Sequence, residues 1–243
     1  MKTIRFFLAL VSISLSSCTS ILMRFMGVQH VAHFDESRYR QNASALLAKY
    51  PGPKQDILIA DTGLIRYSTL FDSLESKFAL QPIQMLYFDA DKKLRSFHVN
   101  CLAPGGVGKL KWNIDDRFAN YIPKTAAPVD YEQWNVDDLT EKLGINELDI
   151  PEGKDVVVFF WSRLLHKQVK HAHKEIITNI KNHVKPDDFP VILYLNTDKV
   201  YASLNSGGID STFLKNVLTE DEYKKHRLKV AGEKRAQAVA DDM

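Results

Sequence analysis

The chain of 243 residues contains 32 lysines and arginines against 30 aspartates and glutamates, so its formal net charge is only +2. Such a balance provides no basic field to attract nucleic acid or anionic lipid, and it excludes functions that depend on that attraction. The length suffices for one large or two small domains with a hydrophobic core.

The N-terminus has the features of a secretory signal peptide. Lys2 and Arg5 precede an uncharged apolar stretch that is too short to span a membrane as a mature helix, and small residues follow it. The stretch ends in Leu15-Ser16-Ser17-Cys18, which resembles the bacterial lipobox. That resemblance implies cleavage after residue 17, attachment of lipid (palmitate among its acyl chains) to Cys18, and stable anchoring to a bilayer.

The residue after the lipobox cysteine bears on the localisation. It is Thr19, whereas an aspartate there resembles the inner-membrane retention signal. The expected location is therefore the outer membrane, with the protein facing the periplasm or the cell surface. Removal of residues 1–17 takes two basic residues and no acid, so the mature chain is neutral. An acylated Cys18 leaves Cys101 as the single thiol, which excludes an intramolecular disulfide.

Residues 18–34 are predicted to form a tether, and residues 35–150 an N-terminal α+β region. In that region we predict a helix capped by Asp35, a strand over 56–60, a helix over 64–78 and a helix over 136–143. Apolar segments flanking Asp89 to Lys93 predict a hairpin over 83–101. Residues 102–135, rich in Pro and Gly, are predicted to be a long irregular loop, and such loops are more often functional than idle.

Residues 151–243 contain the clearest pattern in the chain. Val156 to Phe160 is an apolar run typical of a buried strand, and Val191 to Leu195 is a second. Between them the apolar residues recur at steps of three and four, which predicts one stripe of an α-helix over 165–184. Strand, helix and strand with short joints predict a parallel crossover unit at the centre of an α/β domain. Residues 219–242 are predicted to form an exposed, charged helix.

The end of the first of these strands carries a resemblance to a known family. The run from Phe160 to Gln168 resembles the active-site turn of thioredoxin-like envelope proteins, which reads Phe-Trp-Ala-x-Trp-Cys-x-x-Cys. The resemblance implies a thioredoxin-like three-layer sandwich, with residues 35–150 as an N-terminal extension. It also aligns the two redox cysteines with Leu165 and Gln168, neither of which can form the thiolate that disulfide exchange requires. The family's cis-proline before a late strand has no match.

Three motifs suggest chemistry but lack necessary parts. Asp61-Thr62-Gly63 resembles the catalytic turn of aspartic proteases, yet only one copy is present and that reaction needs two carboxylates. The segment 103–109 resembles a phosphate-binding loop but has Leu110 where a Ser or Thr should bind magnesium. The helical spacing of the histidines at 166, 171 and 173 does not let any two share one zinc ion. We therefore expect no metal and no cofactor.

Two further features remain as hypotheses. Cys101 is predicted to lie on the core face of the second hairpin strand, as an inert structural thiol; the alternative is a nucleophile. Trp161, Trp112 and Tyr121 are candidates for a binding surface beside the 102–135 loop, although aromatic residues mostly fill cores. The preferred hypothesis is a lipid-anchored binding or scaffolding protein with an unknown protein partner or small ligand. The alternative is an envelope enzyme that uses Cys101, or an accessory subunit of an oxidoreductase.

Overall fold

The structure, a computed structural model, describes residues 28–29, 31–71, 76–105, 110–126 and 134–207. The predicted signal peptide, Cys18 and the helix predicted over 219–242 lie outside these residues. The described chain is a mixed α/β fold around one five-stranded sheet.

The strands are β1 (Lys54–Leu58), β2 (Gln84–Phe88), β3 (Leu94–Val99), β4 (Val156–Trp161) and β5 (Val191–Asn196). Their order across the sheet is β1-β5-β4-β2-β3. β1, β5 and β4 run parallel, whereas β2 is antiparallel to both β4 and β3. Strands of both predicted regions, 35–150 and 151–243, thus share one sheet.

The helices are α1 (Glu36–Leu47), α2 (Asp61–Ser68), α3 (Ser76–Ala79), α4 (Val136–Leu143), α5 (His166–His183) and α6 (Asp198–Asn205). α1 and α5 cover one face of the sheet, and the other four helices contribute to the core on the opposite face. β4 supplies both cores by alternation: Val157, Phe159 and Trp161 face α1 and α5, while the residues between them face away.

The central crossover unit is confirmed. β4 and β5 are adjacent and parallel, and all residues of both strands are buried. The helix that joins them buries Val169, Ala172, Ile176 and Ile180 against the sheet, as the apolar stripe predicts. The unit is therefore the centre of the hydrophobic core.

The N-terminal half follows the prediction with three differences. β1 begins two residues earlier than predicted. The predicted helix over 64–78 is instead two helices, α2 and α3. Ser68 and Thr69 at the end of α2 donate their hydroxyls to backbone carbonyls three residues back, a local bond that competes with helix continuation. The predicted hairpin is present but spans Gln84–Val99, so it ends two residues earlier than predicted, and the helix 136–143 is confirmed. Between them, the described part of the 102–135 loop contains a 3₁₀ turn, Ile114–Asp116.

The prediction that Cys101 lies on the core face is wrong. β3 ends at Val99, and the chain then enters a 3₁₀ turn over Asn100–Leu102. Because the strand's alternation of faces stops there, Cys101 is exposed. Gln84 pairs with both Phe160 and Val99, so the ends of β3 and β4 lie at the same edge of the sheet.

Candidate functional site

The polar groups of the core concentrate where β4 and β5 end. In open α/β sheets, ligands bind at the carboxyl edge of parallel strands, between neighbours whose following helices lie on opposite faces. β4 leads into α5 on one face and β5 into α6 on the other, so these two strands form such a point. The turn after β4 is the one that resembles the thioredoxin-like active site.

Three buried residues, Ser162, Arg163 and Asp198, tie the two strand ends together, and we call them the edge clamp. One carboxylate oxygen of Asp198 accepts from the Ser162 hydroxyl at 2.7 Å and from the Arg163 backbone N–H at 2.8 Å. The other pairs with the Arg163 guanidinium at 2.6 Å. The Asp198 side chain is fully buried and that of Arg163 is 9% exposed. The clamp therefore holds the turn in one conformation.

The backbone and the N-terminal segment reinforce this arrangement. Thr197 donates its N–H to the carbonyl of Trp161 at 3.1 Å, which joins the two turns directly. Gln29 donates its N–H to the carbonyl of Leu164 at 2.8 Å. Gln29 lies within the predicted tether, residues 18–34, so part of that segment contacts the turn itself.

The two positions that align with the redox cysteines of the resembled family lie where α5 begins. Leu165 is half-buried and precedes the helix, and Gln168 is buried in its first turn. Neither side chain can carry out thiol chemistry. His166, between them, is half-buried, and its pKa is lowered by burial and by the charge of Lys170.

The other histidines of α5 do not form a metal site. His173 is buried, and its ring Nε2 lies 2.8 Å from the Tyr194 hydroxyl; burial lowers its pKa to about 4. His171 is exposed on another side of the helix. Within the described ranges, no group of three or more His, Cys, Asp or Glu side chains is placed to hold a metal ion.

The Asp61-Thr62-Gly63 motif has a structural explanation. Asp61 starts α2 and accepts a hydrogen bond from the Ser203 hydroxyl at 2.8 Å, which ties α2 to α6. A side chain at Gly63 would collide with the backbone carbonyl of Leu143 at the end of α4. The glycine therefore allows two helices to approach closely. Of the glycine-rich segment 103–109, positions 106–109 lie outside the described residues.

The aromatic residues predicted as a binding surface are mainly core residues. Trp112 is 3% and Trp161 1% exposed, while Tyr121 is half-buried, and all three belong to the core on the α1 and α5 face. They do not form an exposed surface. Trp161, whose ring stacks on Tyr39 with centroids 6.0 Å apart, also lines a small cavity at the turn.

A second recess lies at the carboxyl edge beyond β1 and β5. It is open to solvent, has a volume of about 380 Å³, and is lined by Ala32, His33, Phe34, Asp61, Lys199, Ala202, Ser203 and Ser206. The Lys199 ammonium lies 5.3 Å from the centre of the Phe34 ring. Both recesses are therefore at the sheet edge where α/β proteins bind ligands.

The edge clamp was missed at the sequence level, although a signal exists. Arg163 and Asp198 have opposite charges, and each follows closely after one of two strands that the pattern predicts to be parallel neighbours. Because the carboxyl ends of such strands meet at one edge, a pairing between them follows from the topology. The sequence gives no comparable signal for the cavity.

Comparisons with known proteins add nothing to this geometry. A scan against protein-family models, a search of curated proteins and a search of solved structures each found no match for the chain. Among the described residues, no helix is long and apolar enough to cross a membrane.

Proposed function

We propose that the chain is a lipid-anchored protein of the bacterial cell envelope, attached to the outer membrane through Cys18. Its folded part is a redox-inactive, thioredoxin-like domain that binds or scaffolds a partner or small ligand. The anchor rests on the run Leu15-Ser16-Ser17-Cys18 after a short apolar stretch. Several acyl chains on one cysteine hold a protein stably at a bilayer.

The thioredoxin-like proposal is supported by the parallel strands β1, β5 and β4, by helices on both faces, and by the turn between β4 and α5. Its connectivity departs from the family in one respect. The family has a late strand after the crossover unit, whereas within the described residues the antiparallel strands β2 and β3 both precede that unit.

One observation carries the binding role: the turn that would hold the redox pair is closed by the edge clamp and has Leu165 and Gln168 at the cysteine positions. A buried ion pair of this kind fixes a conformation, and thiol exchange needs a thiolate instead. The turn is thus suited to present a fixed surface rather than to react.

Labelling with palmitate tests the anchor. Cells that express the wild-type chain should incorporate labelled palmitate into it, and the protein should sediment with membranes. Cys18→Ala should abolish the label and release the protein, while the control Cys101→Ser should behave as wild type. A wild-type protein that never takes up the label would refute the anchor.

The alternative is a thiol-dependent enzyme, and the exposure of Cys101 favours it. Cys101 is exposed and follows β3 at the same sheet edge as the turn after β4. Disulfide reduction that depends on Cys101 would select this function over the scaffold.

A further inference from the structure

A small cavity of about 30 Å³ lies between α1 and the beginning of α5, directly beside the turn after β4. Its wall is formed by Asn42, Ala45, Leu46, Lys49, Trp161, Ser162, Arg163, His166, Val169 and Lys170. This volume admits a water molecule or one small polar group, but not a whole metabolite. The cavity therefore fits the end of a ligand.

The charged side chains in the wall of this cavity are all basic. Lys49, two residues after the end of α1, and Lys170 on α5 are both exposed. Their ammonium groups therefore remain hydrated and can approach a ligand. His166 adds a ring nitrogen but no positive charge at neutral pH, because burial and Lys170 lower its pKa. Arg163 is neutralised by Asp198, and the wall described above contains no aspartate or glutamate. An anion in the cavity would thus meet positive charge without an opposing carboxylate in the wall.

A buried donor lacks a partner at the same place. The indole N–H of Trp161 is inaccessible to solvent and has no acceptor among the described groups. An unsatisfied buried donor destabilises the folded state, and native proteins rarely leave one without a water, an ion or a ligand to accept its hydrogen bond. Trp161 forms part of the cavity wall, so the indole that lacks an acceptor borders the same cavity as Lys49 and Lys170.

We propose that this cavity binds a single small oxyanion group, such as a carboxylate or a phosphate, through Lys49 and Lys170, with an oxygen of the group accepting from the Trp161 indole. Ammonium and indole N–H groups are donors, which is the chemistry that recognises anionic oxygens. The inference rests on the proposed binding role and names its ligand class. It is independent of the lipid anchor.

Titration monitored by ¹H–¹⁵N correlation spectra tests the site. The processed chain, residues 18–243 with Cys18→Ser so that it carries no lipid, contains three indole N–H signals, from Trp112, Trp134 and Trp161. Acetate and inorganic phosphate are added separately at constant ionic strength, with chloride as the reference anion. The Trp161 signal should shift saturably with one or both oxyanions, and the other two should stay in place. Which oxyanion binds more tightly identifies the group.

Charge variants give the second readout. Lys49→Gln together with Lys170→Gln should weaken the anion affinity by roughly tenfold, which corresponds to about 1.4 kcal/mol. Both side chains are exposed, so the double variant should fold. Lys174→Gln, exposed on the same helix but outside the cavity wall, is the matched control and should bind as wild type.

Three results would overturn the proposal: an unchanged Trp161 signal, an equal response to chloride, or an affinity that the double Lys variant leaves intact. None of them depends on redox activity or membrane attachment. Failure of the anion site therefore leaves the scaffold proposal standing, and Cys101-dependent turnover would reject the scaffold while leaving the anion site to its own test.

Discussion

Arg163→Met should destabilise the protein strongly through the edge clamp. The substitution introduces an apolar side chain of similar length, and it leaves the carboxylate of Asp198 buried without its guanidinium partner. Removing one member of a buried ion pair typically costs about 3–5 kcal/mol, because the remaining charge stays desolvated. For a domain of this size, that corresponds to a decrease in melting temperature of roughly 6–20 °C.

A thermodynamic cycle separates the pair from other effects of the substitution. Urea unfolding is measured for Arg163→Met, for Asp198→Asn and for the double variant. Because Asp198→Asn removes the charge that Arg163→Met leaves unpaired, the double variant should lose less stability than the sum of the two single variants.

The matched control is Arg38→Met, which breaks an exposed ion pair with Asp35 on α1. Exposed pairs of this kind contribute little, so its unfolding curve should lie close to that of the wild type. If Arg163→Met unfolds at the same urea concentration as Arg38→Met, the two strand ends are not held by a buried pair and the description of the clamp is incorrect.

Three other experiments test the core. Val157→Asp buries an unpaired charge between the sheet and α5 and should lower the free energy of unfolding by several kcal/mol. The control Lys174→Asp, on the exposed side of α5, should melt near the wild-type temperature. Equal melting temperatures for the two variants would contradict the core assignment. Gly63→Ala should cost about 1–3 kcal/mol in urea unfolding, because its methyl group meets the Leu143 carbonyl; an unchanged midpoint would show that α2 and α4 are not so close. Finally, His173 takes up a proton near pH 6.5 in the unfolded chain but only near pH 4 in the folded chain. The free energy of unfolding should therefore fall as the pH decreases from 6.5 towards 4, by up to about 3 kcal/mol from this residue. His173→Gln should flatten this pH dependence, and an unaltered slope would contradict the burial of His173.

The sequence predicts the crossover unit well because its signals are local. Val156 to Phe160 and Val191 to Leu195 are apolar on both faces, and only a strand covered by helices on both sides accommodates that pattern. Asn135 and Gly144, at the two ends of α4, likewise determine its bounds: the first caps the helix through its side chain, and the second ends it with a φ of 70°.

The rest of the site depends on contacts between distant segments. The end of β3 depends on how residues 100–102 turn away from the sheet, so alternation alone placed Cys101 on the wrong side. The cavity depends on how closely α1 approaches α5 above the sheet, and periodicity contains no information on that distance. Trp161 illustrates the limit, since its burial follows from the strand pattern but its unsatisfied indole N–H does not.

Disulfide reduction by the processed chain tests the central claim most directly, namely that the turn after β4 is a fixed binding element without redox chemistry. The wild-type chain should not reduce insulin disulfides faster than buffer. The double variant Leu165→Cys, Gln168→Cys places cysteines at the two positions that align with the redox pair. It should form an intramolecular disulfide and provide the positive control. Robust wild-type turnover that disappears in Cys101→Ser would contradict the account and make Cys101 the nucleophile of an envelope enzyme.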